Sequence, residues 1–330
     1  MPIRPLKLPN DLDTIYRLII EAFQYPENPE WNIDSDEVDG VKNTIETIKR
    51  VWPLYRAIKW MSPSLRDALL GFIWEEAEEP VGLVTVSRRG STDSWFLGNV
   101  GVLPIYRRRG IARKLVKTGV DFIKSQNGNL VILDVVAGNF PAYNLYQSLG
   151  FEHYTSTLEL KLAVNSVRSR PEIPAGYTVE VIPEKEWEIP MEMAKSVVPE
   201  KVQAFDPISK ERYYKPTASR LFFGIMNRKR GVVSEDFLVR DTKSGKIAAL
   251  GFTAAQTKPG DKHFIRMNLA HEYSELAPFL IQKMLYKVNR CSSDHAVQSA
   301  LMEWRYFAIK DHQDFSFEIG KEGYRMGLQL

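Results

Sequence analysis

Apolar positions along this chain change period most sharply near residue 104. Before it they fall in short β-branched and aromatic runs, Gly82-Leu-Val-Thr-Val86, Trp95-Phe-Leu97, then Val100 and Val102, the composition of strands. Pro104 ends the ladder. From Ile111 through Leu115, Val116, Val120, Phe122 and Ile123 the apolar period becomes about 3.6 residues, which predicts a helix over 109–125. The same reading predicts, in the first half, strand 3–8, helix 10–24, a helical stretch within 35–60, strands 69–76, 81–88 and 94–102, then strand 130–136, helix 140–148 and strand 151–162. In the second half it predicts strand 177–182, helix 184–195, strands 235–241, 246–256 and 262–269, helix 274–290, strand 300–307 and strands within 314–330.

Both halves therefore read as α/β (α+β) units, each a mixed, mostly antiparallel sheet flanked by helices. Their registers agree. With Leu103 set on Leu269, the strand at Gly82–Val86 falls on Ala248–Phe252, and the helix from Arg109 falls on one running from about Glu275 to Arg290. Near the ends a slightly longer offset sets Gly150 on Gly320, Tyr154 on Tyr324 and Tyr146 on Ser316. The prolines, glycine and serines of 161–176 interrupt any period, so the expected division is a domain over 1–163, a linker over 164–176 and a second domain over 177–330.

The strand-to-helix passage at 99–112 is also the chain's best candidate site. A helix start leaves its first N–H groups unpaired and carries partial positive charge, which suits a phosphate. Arg107, Arg108 and Arg109 add charge there, while Gly110 and Ala112 keep side chains off the amides of Ile111 and its neighbours.

Arg107-x-x-Gly110-x-Ala112 after a Val-x-Val-x-Pro strand resembles the pyrophosphate loop of the GNAT superfamily of acyl-CoA-dependent N-acetyltransferases. A second block, Leu133-Asp-Val135 followed by Asn139-x-x-Ala142-x-x-Leu145-Tyr146-x-x-x-Gly150-Phe151, is similar to the same family's strand five, helix four and strand six. The resemblance spans roughly 80–160 and implies two GNAT-like domains in tandem. It implies acetyl-CoA as co-substrate, with its pantetheine arm along the backbone of Val100, Gly101 and Val102, its diphosphate on residues 107–112, and Asn139 touching the arm. Tyr146 matches the family's general acid to the departing thiolate, so the implied reaction is direct attack by a primary amine of a small molecule or peptide. The second half carries Tyr273, Leu276 and Pro278 where the first has Arg107, Gly110 and Ala112, and adds Glu272 and Glu275. Bulk and negative charge there oppose a diphosphate, so the second domain is expected to be a degenerate copy without a CoA site.

Many relatives place a Glu where this chain has Phe96, so no general base is assigned; Glu21, Glu75, Glu76, Asp93 and Asp134 are the nearby carboxylates. That gap keeps open a different class of function, a non-catalytic acyl-CoA-binding regulatory or scaffold protein. Residues 26–66, preceded by Tyr25, gather Trp31, Trp52, Tyr55, Trp60 and Met61 with acids at Glu27, Glu30, Asp34, Asp36, Glu37 and Asp39. They form either an acceptor mouth that attracts a cationic amine or a packed insertion with a solvated face.

Composition narrows the rest. At 330 residues, 44% apolar and 26% charged, the chain is long enough for two ordinary domains. The net charge of +3 is mild and the basic residues are scattered, which argues against nucleic acid as a partner. No apolar run approaches the ~20 residues of a membrane span, and the start Met1-Pro-Ile-Arg-Pro lacks a signal peptide's apolar core, so no membrane contact and a cytoplasmic location are expected. The lone Cys291 and the scattered histidines show no metal-ligand spacing, and no metal is expected. Acceptor identity and oligomeric state are left open.

Overall fold

The computed structural model describes residues 2–58, 66–90, 92–214, 224, 227–228, 231–258 and 262–330. The chain divides into two compact units, Met1–Tyr154 with Arg325–Leu330, and Thr155–Tyr324. The carboxy-terminal strand thus ends inside the first unit, a return that reading along the chain does not anticipate.

In the first unit, strands β1 (Ile3–Pro5), β2 (Leu70–Glu76), β3 (Glu79–Arg88), β4 (Ser94–Val102) and β5 (Leu130–Val136) neighbour one another in that order, and the end of β12 (Glu318–Gln329) follows β5. All recorded ladders among β1 to β5 are antiparallel except β4 with β5. Strand β1 is short because Pro5 and Pro9 cannot donate to a ladder. Helix α1 (Leu12–Ala22) buries Leu12, Ile15, Leu18, Ile19 and Ala22, one face at helical spacing. It starts later than predicted because Asp11 is occupied: its carboxylate accepts from the Lys7 amide at 2.6 Å and from the Arg4 guanidinium at 2.7 and 3.0 Å. Helix α2 (Ser35–Ile58) follows, then α3 (Ile111–Ser125), whose Leu115, Val116 and Ile123 are fully buried, and α4 (Phe140–Gln147).

The second unit holds β6 (Glu152–Leu162, all but its first residues), β7 (Tyr177–Val181), β8 (Val232–Asp241), β9 (Ile247–Gln256), β10 (His263–Leu269), β11 (Val297–Met302) and the first part of β12. Their spatial order is β12-β6-β11-β10-β9-β8-β7, and β10 with β11 is the parallel pair. Helices α5 (Glu188–Val197), α6 (Glu200–Phe205), α7 (Lys210–Tyr213), α8 (Ala277–Asn289) and α9 (Ile309–Asp314) complete it. The predicted strand 300–307 is in fact β11 followed by a 3₁₀ turn over Glu303–Ala308. A run as apolar and aromatic as Leu301–Phe307 suits a strand locally, and only tertiary packing turns it aside. Both halves of the chain run strand, helices, three strands, 3₁₀ turn, helix, strand, short helix, strand, so the repeat seen as register is present as order of elements.

Two buried histidines make the second unit acid-sensitive. His263 Nδ1 accepts from the Gln256 amide while Nε2 donates to Ser292 O, both at 2.9 Å, an arrangement only the neutral ring satisfies. His312 Nδ1 donates to Ala308 O at 2.8 Å and lies 1% exposed. Burial holds both below the ordinary histidine pKa of 6.5. The unfolded chain therefore binds these protons first as pH falls, so their stabilisation is complete above about pH 6.5 and is lost below it. Stability is expected to decline from pH 7 to 5, before carboxylates titrate, by up to about 1.4 kcal/mol per histidine per pH unit, and melting temperature with it. His312→Gln, which keeps a donor, is expected to flatten that decline; an equal decline in the variant rejects the assignment.

Candidate active site

The site begins where β4 and β5 part. They pair in parallel only over Ser94–Phe96 with Leu130–Ile132, although β4 continues to Val102 and β5 to Val136. Strand β4 also slips against β3 between its pairings at Gly98 and Gly101, leaving Asn99 with φ of 49°. That is a bulge, and asparagine is among the few residues that take a left-handed conformation readily. The Asn99 amide donates to Thr85 Oγ1 at 3.1 Å. A Gly-Asn pair inside an apolar strand was the available signal for this bulge, which strand periodicity alone does not show.

Beyond Leu103 a 3₁₀ turn over Pro104–Tyr106 leads to Arg108 at φ 64° and Gly110 at φ 76°. Gly110 caps α3 with no side chain to occupy the helix's first amides, and the first backbone bond recorded at this end runs from Lys114 N to Gly110 O. A Cβ on Gly110 would meet nothing within 4 Å, so the glycine serves its left-handed backbone and an open surface.

Val100, Val102, Arg107, Arg108, Gly110, Ile111, Ala112, Asn139 and Tyr146 line one cavity of about 280 Å³. Gly101 and Arg109 do not. Gly101 pairs with Leu83, and a Cβ there would come within 2.9 Å of Ala22 Cβ, so its bareness lets α1 lie close to β4. Arg109 is exposed and turns back to Ile105 O at 3.2 Å. Arg107 lines the cavity but spends its donors on Val102 O, Ala22 O and Gln24 O at 3.0–3.2 Å, tying the end of α1 to the loop. Its guanidinium lies 4.5 Å over the Tyr25 ring. Tyr25, named from sequence only with the aromatics of 26–66, is thus a residue of this cavity, brought here by its place just past the end of α1.

Asn139 caps α4, its Oδ1 accepting from the Ala142 amide at 3.2 Å. Tyr146 is 6% exposed and meets Phe151 edge-to-face at 5.9 Å. Burial, with a smaller contribution from Tyr25, raises its phenol above the ordinary tyrosine pKa, so it stays protonated. Among the described residues no carboxylate lines the cavity. The acids named from sequence are engaged elsewhere: Glu21 with Arg17, Glu75 with Arg4, Asp93 with Arg88, Asp134 with Arg325, and Glu76 accepts from the Trp74 indole. Asp34 and Glu37 form a reciprocal capping box at the start of α2, at 2.8 and 2.9 Å. Trp31 packs on Tyr25 at 5.6 Å and Trp52 on Tyr55 at 5.3 Å, while Trp60 and Met61 lie outside the described residues.

Residues 13–151 match the model of the acetyltransferase (GNAT) family. The chain carries a GNAT acetyltransferase domain. The N-alpha-acetyltransferase RimI of Mycobacterium tuberculosis is 38% identical over 74 residues, 22% of this chain and 45% of that one. The mycothiol acetyltransferase of Rhodococcus erythropolis is 29% identical over 156 residues, 46% of each chain. The match thus spans less than half the length of either relative. A solved tandem GNAT protein from the clavulanic acid biosynthesis pathway superposes over 99% of this chain and 98% of its own, with a TM-score of 0.56 at 15% identity, a likeness of fold.

The second unit repeats the GNAT domain's elements and alters each feature of its cavity. Strand β10 pairs with β9 over Phe264–Leu269 with no slip, so the bulge is missing. Helix α8 is capped by Leu276 in right-handed conformation, 1% exposed, with Pro278 in its first turn. The counterpart of Tyr146 is His312, not Ser316. Phe317 N bonds His312 O as Phe151 N bonds Tyr146 O, and His312 meets Phe317 edge-to-face at 5.4 Å. Ser316, φ 66°, stands at the left-handed position that Gly150, φ 90°, holds in the GNAT domain. The longer offset arose from matching Gly150 to Gly320, whereas this turn follows the register of the upstream helix.

Proposed function

We propose that the first unit transfers an acetyl group from acetyl-CoA to a primary amine. One observation carries this reading: a single cavity joins an uncapped helix start, the parted ends of β4 and β5, and a buried, protonated Tyr146. The amides at Arg108–Ala112 receive the diphosphate, with Arg108 adding charge and Arg107 fixing the loop. The backbone of Val100–Val102 receives the pantetheine arm, beside Asn139. The amine lone pair attacks the thioester carbonyl carbon, and strand-end N–H groups stabilise the oxyanion. As the C–S bond breaks, Tyr146 gives its proton to the sulfur. With no carboxylate in the cavity, the amine arrives neutral and loses its proton to solvent.

The relatives' names, an N-alpha-acetyltransferase and mycothiol acetyltransferases among them, make a small-molecule or peptide amine the expected class. The second unit we read as a degenerate GNAT-like copy without a CoA site, since a buried Leu276 closes the place of Gly110. Among the described residues no helix is long and apolar enough to cross a membrane. The acid-free cavity gives a non-catalytic acyl-CoA-binding role its one support. Release of CoA with a panel of amines and peptides decides between them. Turnover with any acceptor is expected; tight acetyl-CoA binding without turnover on any would favour the binding role.

A further inference from the structure

A cavity of about 660 Å³ lies wholly within the second unit, bounded by β8, β10, the residues from β7 into α5, and the turn after β11. That volume is typical of small-molecule sites. Two arginines define its inner wall. Arg305 is 6% exposed; its Nη1 donates to Met267 O, its guanidinium stacks 4.4 Å from the Trp304 ring, and its buried Nε has no partner. Arg266 projects from β10 over the Phe252 ring at 5.1 Å and is exposed at the cavity. Among the described residues no carboxylate bears on Arg305, whose neighbouring charge is the repelling Arg266, whereas Arg266 itself is attracted by Asp236.

A buried cation without a counter-charge is strongly unfavourable, and arginine does not escape by losing its proton. Arg305, buried without one beside the exposed Arg266 on the same void, marks a place where an anion arrives from outside. The outer lining is acidic. Asp206 is paired with Arg212 at 2.6 Å and Glu235 with Lys287, but exposed Glu184 and half-exposed Glu186 have no cation in range among the described residues. Those acids disfavour a doubly charged phosphate and favour a ligand that also carries a positive group.

We propose that this cavity is a second ligand site, taking an amino-acid-like zwitterion whose carboxylate is forked by Arg305 and Arg266 and whose ammonium group faces Glu184 and Glu186. The site is independent of the acetyl-CoA reading. The test is calorimetric titration of the full chain with the common L-amino acids, glycyl dipeptides, an amino-acid amide, glutarate and a phosphate monoester. Saturable binding by at least one zwitterion is expected, with the amide and glutarate each at least tenfold weaker. Arg266→Met, which removes no hydrogen bond among the described residues, is expected to weaken that binding at least tenfold while leaving melting temperature and acetyl-CoA affinity unchanged. Arg305→Met should do the same to the ligand, at some cost in stability from the Met267 carbonyl. No zwitterion binding, preference for the phosphate monoester or the amide, or full affinity in Arg266→Met would each overturn the proposal.

Discussion

Gly110→Glu is expected to abolish acetyl-CoA binding while the protein stays folded. The new Cβ would enter open space, so no neighbour must move. The backbone at φ 76° costs a non-glycine residue about 1–2 kcal/mol. A carboxylate at a helix start recovers part of that through the helix dipole, and a melting temperature lower by a few degrees is the expected sum. Binding suffers far more. A carboxylate about 4 Å from a bound diphosphate repels it by roughly 4 kcal/mol at an effective dielectric near ~20, about a thousandfold in affinity. Gly110→Ala carries the backbone strain without the charge and should lose only several-fold. Titration with acetyl-CoA measures both, and equal affinities for wild type and Gly110→Glu would mean that the diphosphate does not lie at this helix start.

Tyr146→Phe is expected to lower kcat about a hundredfold, the lower end of general-acid contributions, because a thiolate leaves more readily than an alkoxide. KM for acetyl-CoA should change little, since the ring keeps its edge-to-face seat on Phe151. The buried phenol titrates above the ordinary tyrosine value, so wild type should show no loss of kcat attributable to this group up to pH 9. A variant with wild-type kcat on an acceptor whose chemistry is rate-limiting would remove Tyr146 from the reaction. A rise in KM alone would make it a packing residue.

The candidate site was legible to the extent that it is local. The turn from strand to helix, the glycine at its left-handed position and the Asn139–Tyr146 helix each lie within a few residues, where propensity and capping chemistry act. Arg107 shows the limit. Three arginines in a row read alike, yet one is drawn to Val102, Ala22 and Gln24 carbonyls, one stays at the cavity, and one faces out. Their division depends on where α1 ends, far away along the chain.

By itself the sequence determined the alternation of elements, the repeat and the glycine-capped helix start, because each rests on period or on contacts between near neighbours. Tertiary structure alone decided that β12 closes into the first unit, that Asn99 bulges, that His312 stands in the place of Tyr146, and that Arg305 is walled in beside an open cavity. Strand exchange, bulge register and the burial of a charge are set by the energies of partners distant in sequence, and no window of local residues contains those partners.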